Sequence, residues 1–195
     1  MKKILLLLAN GYETYEASVF IDVLGWNFVD GDKSTKLYSC AITKEVHTSF
    51  GQRSLVDFTL NELNLDDYDA LAIPGGFDEY GYYDDAYSPA FLEVIWHFNA
   101  KAKTIASICV AALAVGRSGA LAGRTATTYG MDNSNRQQEL AGYGVTVLDQ
   151  AIVEDGNIIT SWNPATAMRV AFLLLERLTS KQNADEIKRI MGFEV

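Results

Sequence analysis

Short apolar runs alternate with stretches of helical periodicity along nearly the whole chain. Strand-like runs lie at 3–9, 37–42, 54–58, 70–73, 104–108, 125–128 and 145–148, with a further pair at 151–154 and 157–161. Between the last two, Asp155-Gly156 is a hairpin turn signal. Helical patterns fill 14–28, 89–100, 110–118, 133–141, 164–179 and 183–191. The helix at 164 has a clear start, with Asn163 as N-cap and Pro164 at the first helical position. Its apolar face then reads Ala167, Val170, Ala171, Leu174 and Leu178. Such alternation predicts an α/β fold, a mainly parallel sheet with helices on both faces. No linker, repeat or low-complexity tract interrupts it, so residues 1–195 read as one domain.

The chain is long enough at 195 residues, and apolar enough at 49%, to bury a sizeable core. Its 25 acids against 16 bases give a net charge of −9. That balance argues against nucleic acid or an anionic membrane surface as partner, because phosphate recognition needs a basic face. Most acids, such as Asp66-Asp67-Asp69 and Asp84-Asp85, read as solvated loop residues. The start Met1-Lys2-Lys3-Ile4-Leu5-Leu6-Leu7-Leu8-Ala9 is shorter in its apolar part than a signal peptide and reads as a buried first strand. Two cysteines, Cys40 and Cys109, set up no disulfide framework. Cys40 reads as a small buried hydrophobe in a strand. A reducing cytoplasmic location fits this usage.

Cys109 is different. The run Thr104-Ile105-Ala106-Ser107-Ile108 stops at it, and a small-residue helical pattern follows at once. That places a thiol on a sharp strand-to-helix turn, flanked by the small residues Ser107 and Ala111 that a tight nucleophile elbow requires. At a helix N-terminus the macrodipole and free N–H groups are expected to favour the thiolate.

In open α/β sheets ligands bind beyond the carboxyl ends of the strands. Three features fall there. The first strand exits into Asn10-Gly11-Tyr12-Glu13-Thr14-Tyr15-Glu16, the strand at 70–73 into Pro74-Gly75-Gly76-Phe77, and the strand at 104–108 into Cys109. A parallel sheet sets all three on one edge. Gly75-Gly76 lets the backbone approach closely and aim N–H groups inward, as an oxyanion hole does, or it is an ordinary turn. Glu16 is either a first-turn carboxylate favoured by the helix dipole or a buried acid facing Cys109. Spacing alone does not separate it from Glu13. His97 falls toward the opposite edge and His47 in a loop or hairpin. Neither has metal-ligand spacing, and no phosphate-binding glycine motif follows the first strand. We therefore expect no metal and no cofactor. The segment 76–87, dense in tyrosine, reads equally as a pocket wall or lid, a subunit interface, or a loop with neither role.

Taken together, Leu71-Ala72-Ile73-Pro74-Gly75-Gly76, Ala106-Ser107-Ile108-Cys109-Val110-Ala111-Ala112-Leu113 and Gly123-Arg124-Thr125-Ala126-Thr127-Thr128 resemble the ThiJ/PfpI superfamily. That is the group of the Parkinsonism-associated deglycase, among the class I glutamine-amidotransferase-like folds. The resemblance runs from the first strand to the helix after Asn163. It implies a flavodoxin-like three-layer sandwich with a nucleophile elbow, and a homodimer. It implies Cys109 as nucleophile, Glu16 rather than Glu13 as the acid beside it, and the Gly75-Gly76 turn with Val110 as oxyanion donors. Tyr12, Phe77 and Tyr129 are expected to line the pocket.

Two departures bear on activity. Peptidase-type members carry a histidine directly after the cysteine, where this chain has Val110. Deglycase-like and hydratase-like members often carry one after the Thr-Thr pair, where this chain has Tyr129. A phenol is a poor base at neutral pH but a usable donor, so peptidase activity is not expected. Two readings of different class remain. One is a cysteine-dependent enzyme acting on small electrophiles such as reactive carbonyls. The other is a redox or stress sensor oxidised at Cys109, or a chaperone-like dimer without turnover.

Overall fold

A computed structural model describes residues 1–131 and 134–193. The first half runs β1 (Lys2–Leu7), α1 (Thr14–Asp30), β2 (Thr35–Ala41), β3 (Glu45–His47), β4 (Arg53–Leu55), β5 (Phe58–Thr59), β6 (Ala70–Ile73), α2 (Tyr82–Ala86) and α3 (Pro89–Ala100). The second half runs β7 (Thr104–Ser107), α4 (Ala111–Arg117), β8 (Thr125–Ala126), α5 (Arg136–Gly142), β9 (Thr146–Val147), β10 (Ile152–Asp155), β11 (Ile158–Ser161), α6 (Ala167–Leu178) and α7 (Lys181–Ile190).

Seven strands form the central sheet in the order β10-β11-β7-β6-β1-β2-β5. All neighbours pair in parallel except the hairpin β10-β11. Helices α1, α6 and α7 pack on one face and α2 to α5 on the other, the three-layer α/β arrangement expected of alternating strands and helices. In β1, Ile4 to Leu7 are wholly buried. A central parallel strand is covered on both faces, so an unbroken apolar run suits it better than alternation would. No helix among the described residues is long and apolar enough to cross a membrane.

The structure corrects several predicted boundaries. The run at 54–58 is two elements, not one. The Asp57 carboxylate accepts hydrogen bonds from the Ser39 N–H and hydroxyl, both at 2.8 Å, and this capture separates the β3-β4 hairpin from β5. The runs at 125–128 and 145–148 shrink to β8 and β9, which form their own two-stranded parallel sheet. There the Thr127 N–H turns to the Thr160 hydroxyl at 3.0 Å, and the Thr128 hydroxyl to the Cys109 carbonyl at 2.9 Å. The helix after Asn163 opens with a 3-10 turn over Pro164–Thr166. Its start is closed by the Thr166 hydroxyl on the Asn163 carbonyl at 2.7 Å, whereas the Asn163 Oδ1 expected as cap has no partner. The predicted helix start at Asn133 lies outside the described residues.

Helix α1 delivers Glu16, and its far end is fixed by one buried amide. Asn27 Nδ2 donates to Thr35 Oγ1 at 2.8 Å and to Asp32 Oδ1 at 3.0 Å, while Asn27 Oδ1 accepts from Asn183 Nδ2 at 2.6 Å. The bonds tie α1 to β2 and α7. Asn27→Ala removes the partner of the buried Thr35 Oγ1 and one bond each from Asp32 and Asn183, which keep Ser34 and Thr179, and a buried polar group left unpaired is worth about 1–3 kcal/mol. We expect a loss of stability of about that size or more, measured by urea unfolding, with no change in secondary structure content.

Candidate active site

Strands β7, β6 and β1 are adjacent, and their carboxyl ends open into one cleft of about 510 Å³. Cys109, Glu16, Glu13, Gly76, Phe77 and Tyr129 are among its lining residues. The structure thus brings together the thiol, the acid and the Gly-Gly turn read from the strand ends.

Cys109 sits at φ +58°, a left-handed conformation that side chains other than glycine adopt only when the surroundings hold them there. Three bonds do so. Cys109 N–H donates to the Ser161 carbonyl at 3.0 Å, its own carbonyl accepts from Thr128 Oγ1, and Ile108 N–H donates to the Ile73 carbonyl at 3.1 Å. Strand β7 ends at Ser107, so Cys109 turns the chain out of the sheet into α4. Its residue exposure is only 9%.

Glu16 lies in the first turn of α1 and is fully buried. Its Oε2 accepts the Gly75 N–H at 2.7 Å. Its Oε1 is buried without a conventional partner, and the carboxyl interacts with the Cys109 side chain. The close approach is possible because position 75 has no side chain. A Cβ there would come within 2.9 Å of Glu16 Oε2 and 3.0 Å of the Cys109 Cβ. Gly76 is equally constrained, since a Cβ would collide with the Gly11 carbonyl oxygen and the Tyr82 ring. Tyr82 in turn pins this segment by donating its hydroxyl to the Pro74 carbonyl at 2.8 Å.

Burial, with the charge on Glu13 beside it, raises the Glu16 pKa to about 8. The helix dipole is worth about 0.3–1 kcal/mol, less than a single pH unit, and burial overrides it. The same balance corrects the expectation for Cys109. Burial and the charge of Glu16 push the thiol well up, and the Val110 N–H, which favours the thiolate, offsets only part of this.

Other predicted residues take different places. The Gly75 N–H is engaged by Glu16, so it holds the acid and is not free to meet an oxyanion. The Gly76 N–H has no acceptor among the described residues, and Val110 lines the cleft beside it. Tyr12 is a correction: its ring is buried in the core and its hydroxyl bonds Ser54 Oγ at 2.7 Å, away from the cleft. Gly11, at φ +71°, turns the chain so that Tyr12 bridges Thr48 and Gly76. His97 pairs with Asp66 at 3.0 Å and His47 stands near Glu45. Neither lines the cleft. Cys40 is fully buried, and burial pushes its thiol far up.

Sequence reading gave no role to Thr128 or Arg136, and placed Tyr83 only within the segment 76–87, with pocket wall or lid as one of its three alternatives. Thr128 lies inside the Thr-Thr motif, which was signal enough to ask what it holds. Arg136 had no signal. It stacks on the Tyr83 ring at 4.8 Å and pairs with Glu139 at 3.2 Å.

A flavodoxin-like α/β sandwich with a cysteine elbow beside a buried acid defines the class of site. The family model for the DJ-1/PfpI family matches residues 2–177, and the chain belongs to that family. It is 30% identical over 194 residues to Protein DJ-1alpha of Drosophila melanogaster, covering 97% of this chain and 83% of that protein. It is 28% identical over 191 residues to Protein DJ-1 homolog A of Arabidopsis thaliana, covering 97% of this chain and 46% of that protein. The chain therefore spans about half the length of that relative. Its fold matches the crystal structure of Drosophila melanogaster DJ-1beta with a TM-score of 0.86 at 24% identity, covering 100% and 99% of the two chains. A DJ-1 superfamily protein from Salmonella typhimurium matches with a TM-score of 0.84 at 27% identity over the whole of both chains.

The raised Glu16 pKa has a signed consequence for stability. Between pH 4.5 and about 8 the folded protein keeps the Glu16 proton while the unfolded chain releases it. Unfolding is then favoured as pH rises, and this contribution to stability falls across that window. Glu16→Gln keeps the Gly75 bond and cannot ionise. We expect its melting temperature to fall less than wild type's from pH 5 to 8. Parallel profiles for the two proteins would contradict a protonated Glu16.

Proposed function

We propose that the chain is a cysteine-dependent enzyme acting on small electrophiles, reactive carbonyls foremost, with Cys109 as nucleophile and Glu16 as its proton partner. The observation that carries this reading is a buried acid held against a strained elbow cysteine at the floor of an open cleft. With a pKa of about 8, Glu16 is mostly protonated at neutral pH. A neutral carboxyl exerts no charge repulsion on the sulfur, and its O–H is a donor to a thiolate. Sγ then bonds to the carbonyl carbon as its S–H bond breaks, the π electrons move to oxygen, and that oxygen takes the Glu16 proton while the Sγ proton passes to the other oxygen of Glu16. The product is a hemithioacetal with Glu16 again neutral. The N–H groups of Gly76 and Val110 are the donors this reading assigns to the developing oxyanion.

A redox-sensing role is the second reading. It is favoured by the absence of histidine from the residues that line the cleft, since cysteine hydrolases usually pair the thiol with an imidazole. There Cys109 would be oxidised to a sulfenate or sulfinate beside Glu16. Consumption of methylglyoxal by wild type and Cys109→Ser separates the two. We expect turnover by wild type and only background by the variant; equal rates would refute the enzyme reading. Selective oxygen addition at Cys109 under graded peroxide, without turnover, would favour the sensor.

We also read residues 1–195 as one domain acting in the cytoplasm as a homodimer. Ile21, Trp26 and Val29 stand exposed around a shallow groove on α1, and apolar side chains grouped in this way suit a second copy. Trp26→Lys is expected to halve the mass seen by light scattering at micromolar concentration.

A further inference from the structure

The tyrosine-dense segment contributes one polar group that the fold leaves without use. Tyr82 anchors the Pro74 turn and Tyr87 donates its hydroxyl to Glu139. Tyr83 lines the cleft, and its Oη is buried with no hydrogen-bond partner. A buried hydroxyl left unpaired is unfavourable by about 1–3 kcal/mol, so one closed off on a residue that lines a cleft points to a ligand that it meets when the ring shifts.

The ring itself is held on several sides. Tyr87 packs against it at 4.7 Å between centroids, Tyr82 at 5.4 Å edge-on, and the Arg136 guanidinium lies over it at 4.8 Å. Arg136 is kept in place by Glu139. The phenol is close enough to the nucleophile for charge on Cys109 to disfavour its ionisation. Burial pushes the phenol pKa up further still, so the group is a neutral donor and never a base at physiological pH.

We propose that Tyr83 is a specificity-determining hydrogen-bond donor, whose hydroxyl binds the acceptor oxygen of the electrophile that Cys109 attacks. It rests on Cys109 being the nucleophile. The matching ligand is a small molecule with an oxygen acceptor beside the electrophilic carbon, uncharged or cationic. Glu13, Asp78 and Glu79 also line the cleft, against one cation, Arg136, which is paired to Glu139, and this balance disfavours an anion.

Tyr83→Phe removes only the hydroxyl and keeps the stacked ring. Alkylation at Cys109, followed by intact mass and peptide mapping, is compared for iodoacetamide, which carries an acceptor oxygen, and allyl bromide, which does not. We expect the variant to slow iodoacetamide about 5- to 10-fold, the worth of one hydrogen bond, and to leave allyl bromide within about 2-fold of wild type. Its melting temperature should equal or exceed wild type's. An unchanged iodoacetamide rate, equal slowing of both reagents, or a clear drop in melting temperature would overturn the proposal. None of these readings depends on turnover. A wild type that does not consume methylglyoxal would sink the enzyme reading while leaving the alkylation ratio to judge Tyr83.

Discussion

Burial of the Glu16 carboxyl against the Gly75 N–H is the constraint on which the site depends. Placing an acid out of water is unfavourable unless it is neutral or well bonded. Here one oxygen has a 2.7 Å backbone donor and the other has no conventional partner. The arrangement requires α1 to start beside β6, a residue without Cβ at position 75, and a chain that turns sharply at Cys109. Sheet order supplies the first, because β6 and β7 lie next to β1. Glycine supplies the second. The third is enforced by the Ser161 carbonyl and the Thr128 hydroxyl, which fix both backbone groups of Cys109.

Two effects compete at this elbow, and their magnitudes decide between them. A helix N-terminus favours anions within its first turn, by about 0.3–1 kcal/mol when exposed. Both Glu16 and Cys109 sit at such ends, yet both are pushed up, because burial acts on each more strongly, joined by the charge of Glu13 on Glu16 and of Glu16 on Cys109. Each group therefore holds its proton more firmly than it would in water. Reactivity of the sulfur then follows from where those protons go, more than from the helix behind it.

Much of the fold was legible because its signals are local. The apolar run at the start of β1, the Asp155-Gly156 turn and the helix over 89–100 each follow from periodicity and turn chemistry within a few residues. Cys109, Glu16 and Gly76 could be grouped because parallel strands put their exits on one edge. What escaped depends on contacts between distant segments. Asp57 divides a predicted strand by capturing Ser39. Tyr12 turns into the core because of the positive φ at Gly11. Tyr83 and Tyr87 are alike in sequence context, and only Glu139, some fifty residues on, gives one of them a partner.

The acidic surroundings of the cleft bear on why a histidine is absent from its lining. An imidazole in this cleft would be held protonated by the charge on Glu13, and a fixed cation there would favour ionisation of Glu16. Phenols avoid this. Tyr83 lines the cleft and stays neutral because burial opposes its ionisation, and Tyr129 lines it too. A neutral donor leaves the protons on Glu16 and Cys109 undisturbed while still offering a hydrogen bond to whatever enters. A phenol in place of an imidazole thus removes a base but preserves the one electrostatic condition, a protonated Glu16, that the proposed attack by this buried sulfur requires.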